Sequence, residues 1–122
     1  MDSTTTVVLR YRDGRTERAT LIETDVDRQI VRVSRDDGAK DDVPFSTLKA
    51  LFFPRNAAPE ESLEPPAGST IAVEFADGEI IRGVAHYNPE RNGFFLFPLD
   101  RSKNERIFVV NSAIVSIEVE KL

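Results

Sequence analysis

VVLRYRDGRTERA, residues 7–19, is echoed sixty-four positions downstream by IAVEFADGEIIRG, residues 71–83. At this offset Val7, Leu9, Tyr11, Asp13 and Gly14 lie over Ile71, Val73, Phe75, Asp77 and Gly78, and Arg18 lies over Arg82. The apolar positions recur every second residue, the period of a strand with one buried face. Asp-Gly then ends each strand, because both residues tolerate the positive φ of a tight hairpin turn.

The correspondence continues. QIVRVSRDDG (29–38) sits over GFFLFPLDRS (93–102), and with one inserted residue VPFSTLKALFF (43–53) sits over FVVNSAIVSIEV (108–119). Each half therefore reads as five strands, near 6–12, 15–24, 28–35, 40–45 and 49–53, then near 70–76, 79–87, 93–99, 105–110 and 114–120. FSTLK and VNSAI leave room between the fourth and fifth strands only for a single tight turn of 3₁₀ type. Five short strands with a pinched last corner predict a small closed barrel, which removes exposed sheet edges by curling. Between the halves, PRNAAPEESLEPPAGS (54–69) carries four prolines and three glutamates and reads as a linker. Its PEESL suits either one helical turn or an extended strap. The expected organisation is a first repeat at 1–53, a proline-rich linker at 54–69 and a second repeat at 70–122.

The second-half stretch VEFADGEIIRGVAHYNPERNGFFLF resembles the first motif of the Sm-like small barrels, many of which bind RNA as rings. Gly83 matches the family glycine, and Asn92 falls at the base-contacting asparagine. Asn88 stands where the motif has Asp. The first half is a looser copy, with Ala19, Asp25 and Gln29 at the glycine, acid and asparagine positions. The Arg-Gly that closes the family's base pocket is replaced by Asn111-Ser112 and Ser46-Thr47. The doubled pattern also resembles tandem small-barrel proteins of an uncharacterised bacterial type. The resemblance implies an all-β fold of two tandem five-stranded Sm-like barrels packed together, and it leaves the function open. Ile80-Ile81-Arg82-Gly83 is not the Arg-Gly signature, since it precedes the asparagine. Gly83 reads instead as a close approach in a curved strand.

Composition narrows the chemistry. The chain of 122 residues has a formal charge of −5, spread along its length, which opposes broad phosphate-driven binding, so no DNA partner is expected. It has no cysteine and one histidine, His86, so neither a thiolate metal site nor a nucleophile with its base is legible. We expect no enzyme activity, no cofactor and no metal. RDDGAKDD (35–42) lacks the ligand spacing of a calcium loop. No apolar run reaches the roughly 18 residues of a membrane span, and the N-terminal order is not that of a signal peptide, so a cytoplasmic protein without a membrane partner is expected.

Two binding surfaces remain. One is single-stranded RNA on YNPERNG (87–93), with Tyr87 stacking a base, Arg91 meeting a phosphate and Asn92 reading an edge. Asn-Pro and Asn-Gly are equally plain turn formers. Arg10 and Arg12, with Arg15, Arg18 and Arg32 nearby, form an arginine face that would meet phosphates or pair with acids such as Glu17, Glu23 and Asp36. The other surface is apolar. Val31 and Val33 alternate with Arg32, but FFLF replaces that arginine with Leu96. If Phe108 and Val110 fill the second barrel, Ile107 and Val109 point away from it. Phe94, Leu96, Ile107 and Val109 then need cover from the other half or from a second chain. In LKALFF, Leu51 and Phe53 point inward and Phe52 is left to an interface. The expected role is a non-catalytic binding or scaffolding protein that recognises a protein partner or associates with itself through barrel edges and the apolar patch, with single-stranded RNA binding as the alternative.

Overall fold

A computed structural model describes residues 5–54, 68–86, 90–99 and 104–120. The first half runs β1 Thr5–Tyr11, β2 Thr16–Asp25, β3 Ile30–Ser34 and β4 Lys40–Pro44, a 3₁₀ turn at Phe45–Thr47, and β5 Leu48–Pro54. The second repeats this as β6 Ser69–Phe75, β7 Ile80–Ala85, β8 Gly93–Pro98 and β9 Asn104–Val110, a 3₁₀ turn at Asn111–Ala113, and β10 Ile114–Glu120. Gly14 and Gly78 adopt φ of 95° and 89° at the Asp-Gly turns, where an L side chain would be strained. Most of the expected linker, residues 55–67, lies outside the described residues.

All pairings are antiparallel and form one sheet of ten strands in the order β10-β6-β7-β8-β9-β5-β1-β2-β3-β4. The two halves share one internal order, fifth-first-second-third-fourth strand, and meet where β5 pairs with β9. This departs from the expected closure. Each fourth strand passes to the fifth through a three-residue 3₁₀ turn, and the free side of β5 is taken by β9. The sheet therefore stays open, with β4 and β10 at its ends.

Opposite residues in an antiparallel ladder share a face, so the registers trace which side of the sheet each core occupies. Leu9 lies opposite Leu51, and Leu51 opposite Phe108, which in turn faces Phe95. Val8 lies opposite Phe52, Phe52 opposite Ile107, and Ile107 opposite Leu96, which faces Ala85. The buried residues Val7 and Leu9 of β1 belong to the first face. Ile71 and Val73 of β6 belong to the second, through Ile71 opposite Gly83. The buried side of the sheet thus changes at the β5–β9 junction. Both faces of these two strands must be apolar, and Leu48–Phe53 and Ile107–Val110 are buried throughout.

This reverses one expectation. Phe94, Leu96, Ile107 and Val109 share the face of Ile71 and Val73, whereas Phe95 and Phe108 turn toward the first half. The cause is a one-residue slip in aligning the repeats. The backbone N–H of Phe45 donates to the Gln29 carbonyl, and that of Asn111 to the Asn92 carbonyl, so Gln29 matches Asn92 and Arg32 matches Phe95, not Leu96. One residue of slip exchanges every side chain between faces.

Phe108 contacts the rings of Phe45 and Phe95 at centroid separations of 5.7 and 5.2 Å, and Phe53 meets Phe95 at 5.8 Å. The buried residues of both halves form one apolar cluster. Halves of about fifty residues would each be marginal alone, and sharing a junction relieves that. Gly83 is needed where β7 meets β8: a Cβ there would lie 2.4 Å from the Phe97 carbonyl oxygen.

Phe108→Ala is expected to cost about 3–5 kcal/mol in urea unfolding. The wild-type chain is expected to unfold in one transition followed equally by probes in either half, and two separate transitions would contradict the shared core.

Candidate functional site

Charged groups cluster at the same junction, and they hold it together. Lys49 lies in the middle of β5 and is only 5% exposed. Its Nζ donates to Asp77 Oδ2 at 2.7 Å and to the Glu79 carboxylate, and it sits 4.8 Å from the centroid of the Phe75 ring. Arg10 pairs with the same Glu79 at 3.4 Å while its guanidinium lies 4.2 Å above Phe52. The second Asp-Gly hairpin is thereby clamped onto β1 and β5. The Lys49 hydrogen bond, helped by the backbone N–H of Glu79, holds the Asp77 carboxyl below its ordinary range. The signal for this clamp is a lone lysine inside the apolar run LKALFF, with two acids on a turn sixty-four residues beyond its twin.

The arginine face is likewise committed to the fold. Arg12 donates from Nε to the Leu48 carbonyl at 2.9 Å, and from Nη2 to the Phe45 carbonyl at 3.1 Å and to Ser112 Oγ at 2.5 Å. Arg15 pairs with Asp13 at 2.7 Å and Arg32 with Asp42 at 2.9 Å, with Glu23 3.5 Å from Arg32. Arg35, absent from the expected set, lies 2.6 Å from Glu17 and 2.9 Å from Asp41. The Tyr11 hydroxyl donates to Glu17 at 2.8 Å. Burial first, and then Glu17, raises the Tyr11 phenol, while the Arg35 hydrogen bond lowers the Glu17 carboxyl against its partial burial. An open cleft of about 650 Å³ lies over Tyr11, Glu17 and Arg35, and its charges are already matched. Arg18 is exposed on β2.

The loop expected to read RNA is built into the contact between the halves. Asn92 Nδ2 donates to the Val26 carbonyl at 2.8 Å, and the Asn92 carbonyl accepts from the Asn111 backbone N–H at 3.0 Å. Asn111 Nδ2 also donates to the Arg91 carbonyl. Arg91 is exposed, in a shallow cleft whose lining includes the acids Asp27 and Glu90. Tyr87 and Asn88 lie outside the described residues. His86 is exposed just after β7, and the described residues contain no group of His, Cys, Asp or Glu arranged to hold a metal ion. The residues expected at a protein interface, Phe94, Leu96, Ile107, Val109 and Phe52, are all buried. Phe52, Ile107 and Val109 lie in the β5–β9 ladder, and Phe94 and Leu96 lie one strand beyond it.

What remains exposed and apolar lies elsewhere, and the sheet's two ends differ. β4 is five residues, KDDVP, with Lys40, Asp41, Asp42 and Pro44 exposed. Charges and proline guard an edge against further pairing. β10 is seven residues, IVSIEVE, with Val115 62% and Val119 53% exposed. Aligning the two 3₁₀ turns sets β10 over β5, with Val115 over Lys49, Ser116 over Ala50, Ile117 over Leu51 and Glu118 over Phe52. Both strands bulge at the matched position, between Ile114 and Ser116 in one and opposite Arg10 and Tyr11 in the other. β5 is buried on both faces and flanked by β1 and β9; among the described residues β10 has β6 as its sole neighbour in the sheet. The sequence reading expected association through strand edges, without naming the strand that lies at one.

The architecture is thus that of an all-β protein with one open antiparallel sheet and no helix long and apolar enough to cross a membrane among the described residues. The family described as "Family of unknown function (DUF6982)" matches residues 3–121, and the chain belongs to it. The match runs through both halves. No curated protein and no solved structure matches the chain.

Because the folded-state pKa values of Glu17 and Asp77 are depressed, their contribution to stability is present above the ordinary carboxylate range and is lost as pH falls through the lowered values. Urea midpoints measured from neutral pH downward are expected to fall on that acid limb, and Glu17→Gln is expected to flatten it. An unchanged limb would remove Glu17 from the account.

Proposed function

We propose that the chain is a non-catalytic binding or scaffolding protein, built of two Sm-like five-stranded units in tandem within one open sheet, that takes a protein strand onto its β10 edge. The repeated strand order with a 3₁₀ turn before each fifth strand supports the tandem reading. The observation that carries the function is the asymmetry of the two ends: β4 is short and guarded by charge and proline, while β10 is longer and exposes Val115 and Val119. A strand edge binds through backbone hydrogen bonds and gains selectivity from alternate side chains.

Of the polar groups that sequence reading offered to RNA, Asn92 is employed in the fold. Using Asn92 on a base would require it to release the Val26 carbonyl, and with it a contact between the halves. The net charge of −5 also weighs against phosphate contacts.

The test is copurification of the full chain from its native cell after brief crosslinking, with bound protein and bound RNA both analysed. The wild type is expected to carry a defined protein species, its own chain or another, which Val115→Asp/Val119→Asp loses while remaining folded. Retention of that species by the variant, or RNA that dissociates with salt and is lost on Asn92→Ala, would contradict the proposal.

A further inference from the structure

We infer that the strand taken by β10 is an antiparallel one in which a large apolar residue, set opposite Ile117, lies between two basic residues that meet Glu118 and Glu74. The inference rests on the strand-docking reading above and specifies the chemistry of the partner.

Beyond its bulge, β10 is a core strand that lacks cover. Ile117 and Val119 lie opposite the buried Val73 and Ile71, so they belong to the core face of the second half. Their matches in β5 are Leu51 and Phe53, which have Phe108 and Arg106 of β9 opposite them. Leu51 is fully buried and Phe53 is 3% exposed, whereas Ile117 is half-buried and Val119 is 53% exposed. What β10 lacks is therefore what β9 supplies to β5. The bulges fall before these stretches, at Lys49 in β5 and at Val115 in β10, so the register of Ala50–Phe53 carries over to Ser116–Val119 without a slip. In that register a large apolar residue takes the place of Phe108, opposite Ile117.

The other face sets the charge. There Ser116 lies opposite Glu74, and Glu118 lies opposite Ala72. Glu17, Glu23, Asp25, Asp41 and Asp42, also on strands, are held in ion pairs, but no ion pair joins Glu74 or Glu118 among the described residues. The first half shows what such a position meets. Glu74 stands where β1 has Arg10, and Arg10 pairs with Glu79, an acid brought by the unit that docks on β5. Glu118 stands where β5 has Phe52, against which the Arg10 guanidinium rests. With the sign of the edge inverted, the matching partner is basic. A cation opposite Glu118 meets it directly, and one opposite Ser116 reaches Glu74 across the small serine. β4 of a second copy does not fit, since the same register sets Asp42 opposite Ile117 and Asp41 opposite Glu118.

The probe is a capped peptide with lysine–phenylalanine–lysine flanked on each side by valine and then threonine, titrated into the isotope-labelled full chain and followed by NMR. Amide shifts are expected along β10 and β6. Glu74→Lys/Glu118→Lys is expected to weaken binding at least roughly tenfold. A peptide with glutamate in place of both lysines is expected to bind that variant and not the wild type. Net attraction would not explain this reversal, because the change of +4 takes the chain from −5 only to −1. Serine in place of the phenylalanine is expected to abolish binding. Glu118 is exposed and Glu74 half-buried, so circular dichroism should report an unchanged fold, and Glu74→Gln/Glu118→Gln gives a milder loss of the same binding.

Equal binding of the lysine peptide to the wild type and both variants, shifts centred on β4, or no binding at millimolar peptide would each overturn the assignment. If the species captured in the cell were nevertheless lost on Val115→Asp/Val119→Asp, strand docking would stand with a partner of other chemistry.

Discussion

The ladder between β5 and β9 is the constraint on which the rest depends. Joining the halves there makes one sheet, and because the first core lies on one side of that sheet and the second on the other, the two junction strands are buried on both faces. This accounts for the otherwise excessive apolarity of LKALFF and RIFVV, and for Phe108 lying against Phe45 of the opposite half. It also explains why a charge is buried in the middle. The bulge in β5 directs Lys49 to the second hairpin, where Asp77 and Glu79 meet it. Removing both acids would leave the buried Lys49 charge uncompensated, which costs more than the cluster contributes when intact.

From this follows the contrast between matched strands. β10 occupies the place of β5 in its own half, with a matching 3₁₀ turn before it and a matching bulge, but among the described residues only β6 pairs with it. Its sequence has adapted in part. Ser116 and Glu118 replace Ala50 and Phe52 on the face that β5 turns to the second core, while Val115 stands exposed where Lys49 is clamped. β10 thus leaves Val115 exposed at its bulge and Val119 exposed near its end.

Much of this was legible in the residues. Alternation in VVLRY and IAVEF fixed the period, Asp-Gly marked the turns, and FST and NSA were too short for anything but tight corners. Other features could not be read. FFLF and IFVV are apolar at every position, so no periodicity distinguishes inside from outside, and one residue of slip between repeats then inverted the faces. Closure failed as an inference because ladder hydrogen bonds are made by the backbone, and nothing in the side chains says that β5 prefers β9 to β4. Arg12 and Asn92 have the right chemistry for phosphate and base. The carbonyls of Phe45, Leu48 and Val26 that claim them instead are close only in three dimensions.

Native-state amide hydrogen exchange, resolved by residue, tests the shared junction most directly. Amides of β5 and β9 bonded across the ladder should exchange only through global unfolding and so be the slowest in the protein, with the outer strands β4 and β10 opening at lower free energy. If β5 and β9 lost protection together through a lower-energy opening while β1 and β6 stayed protected, the halves would be separable and the account of one sheet with a common core would fail.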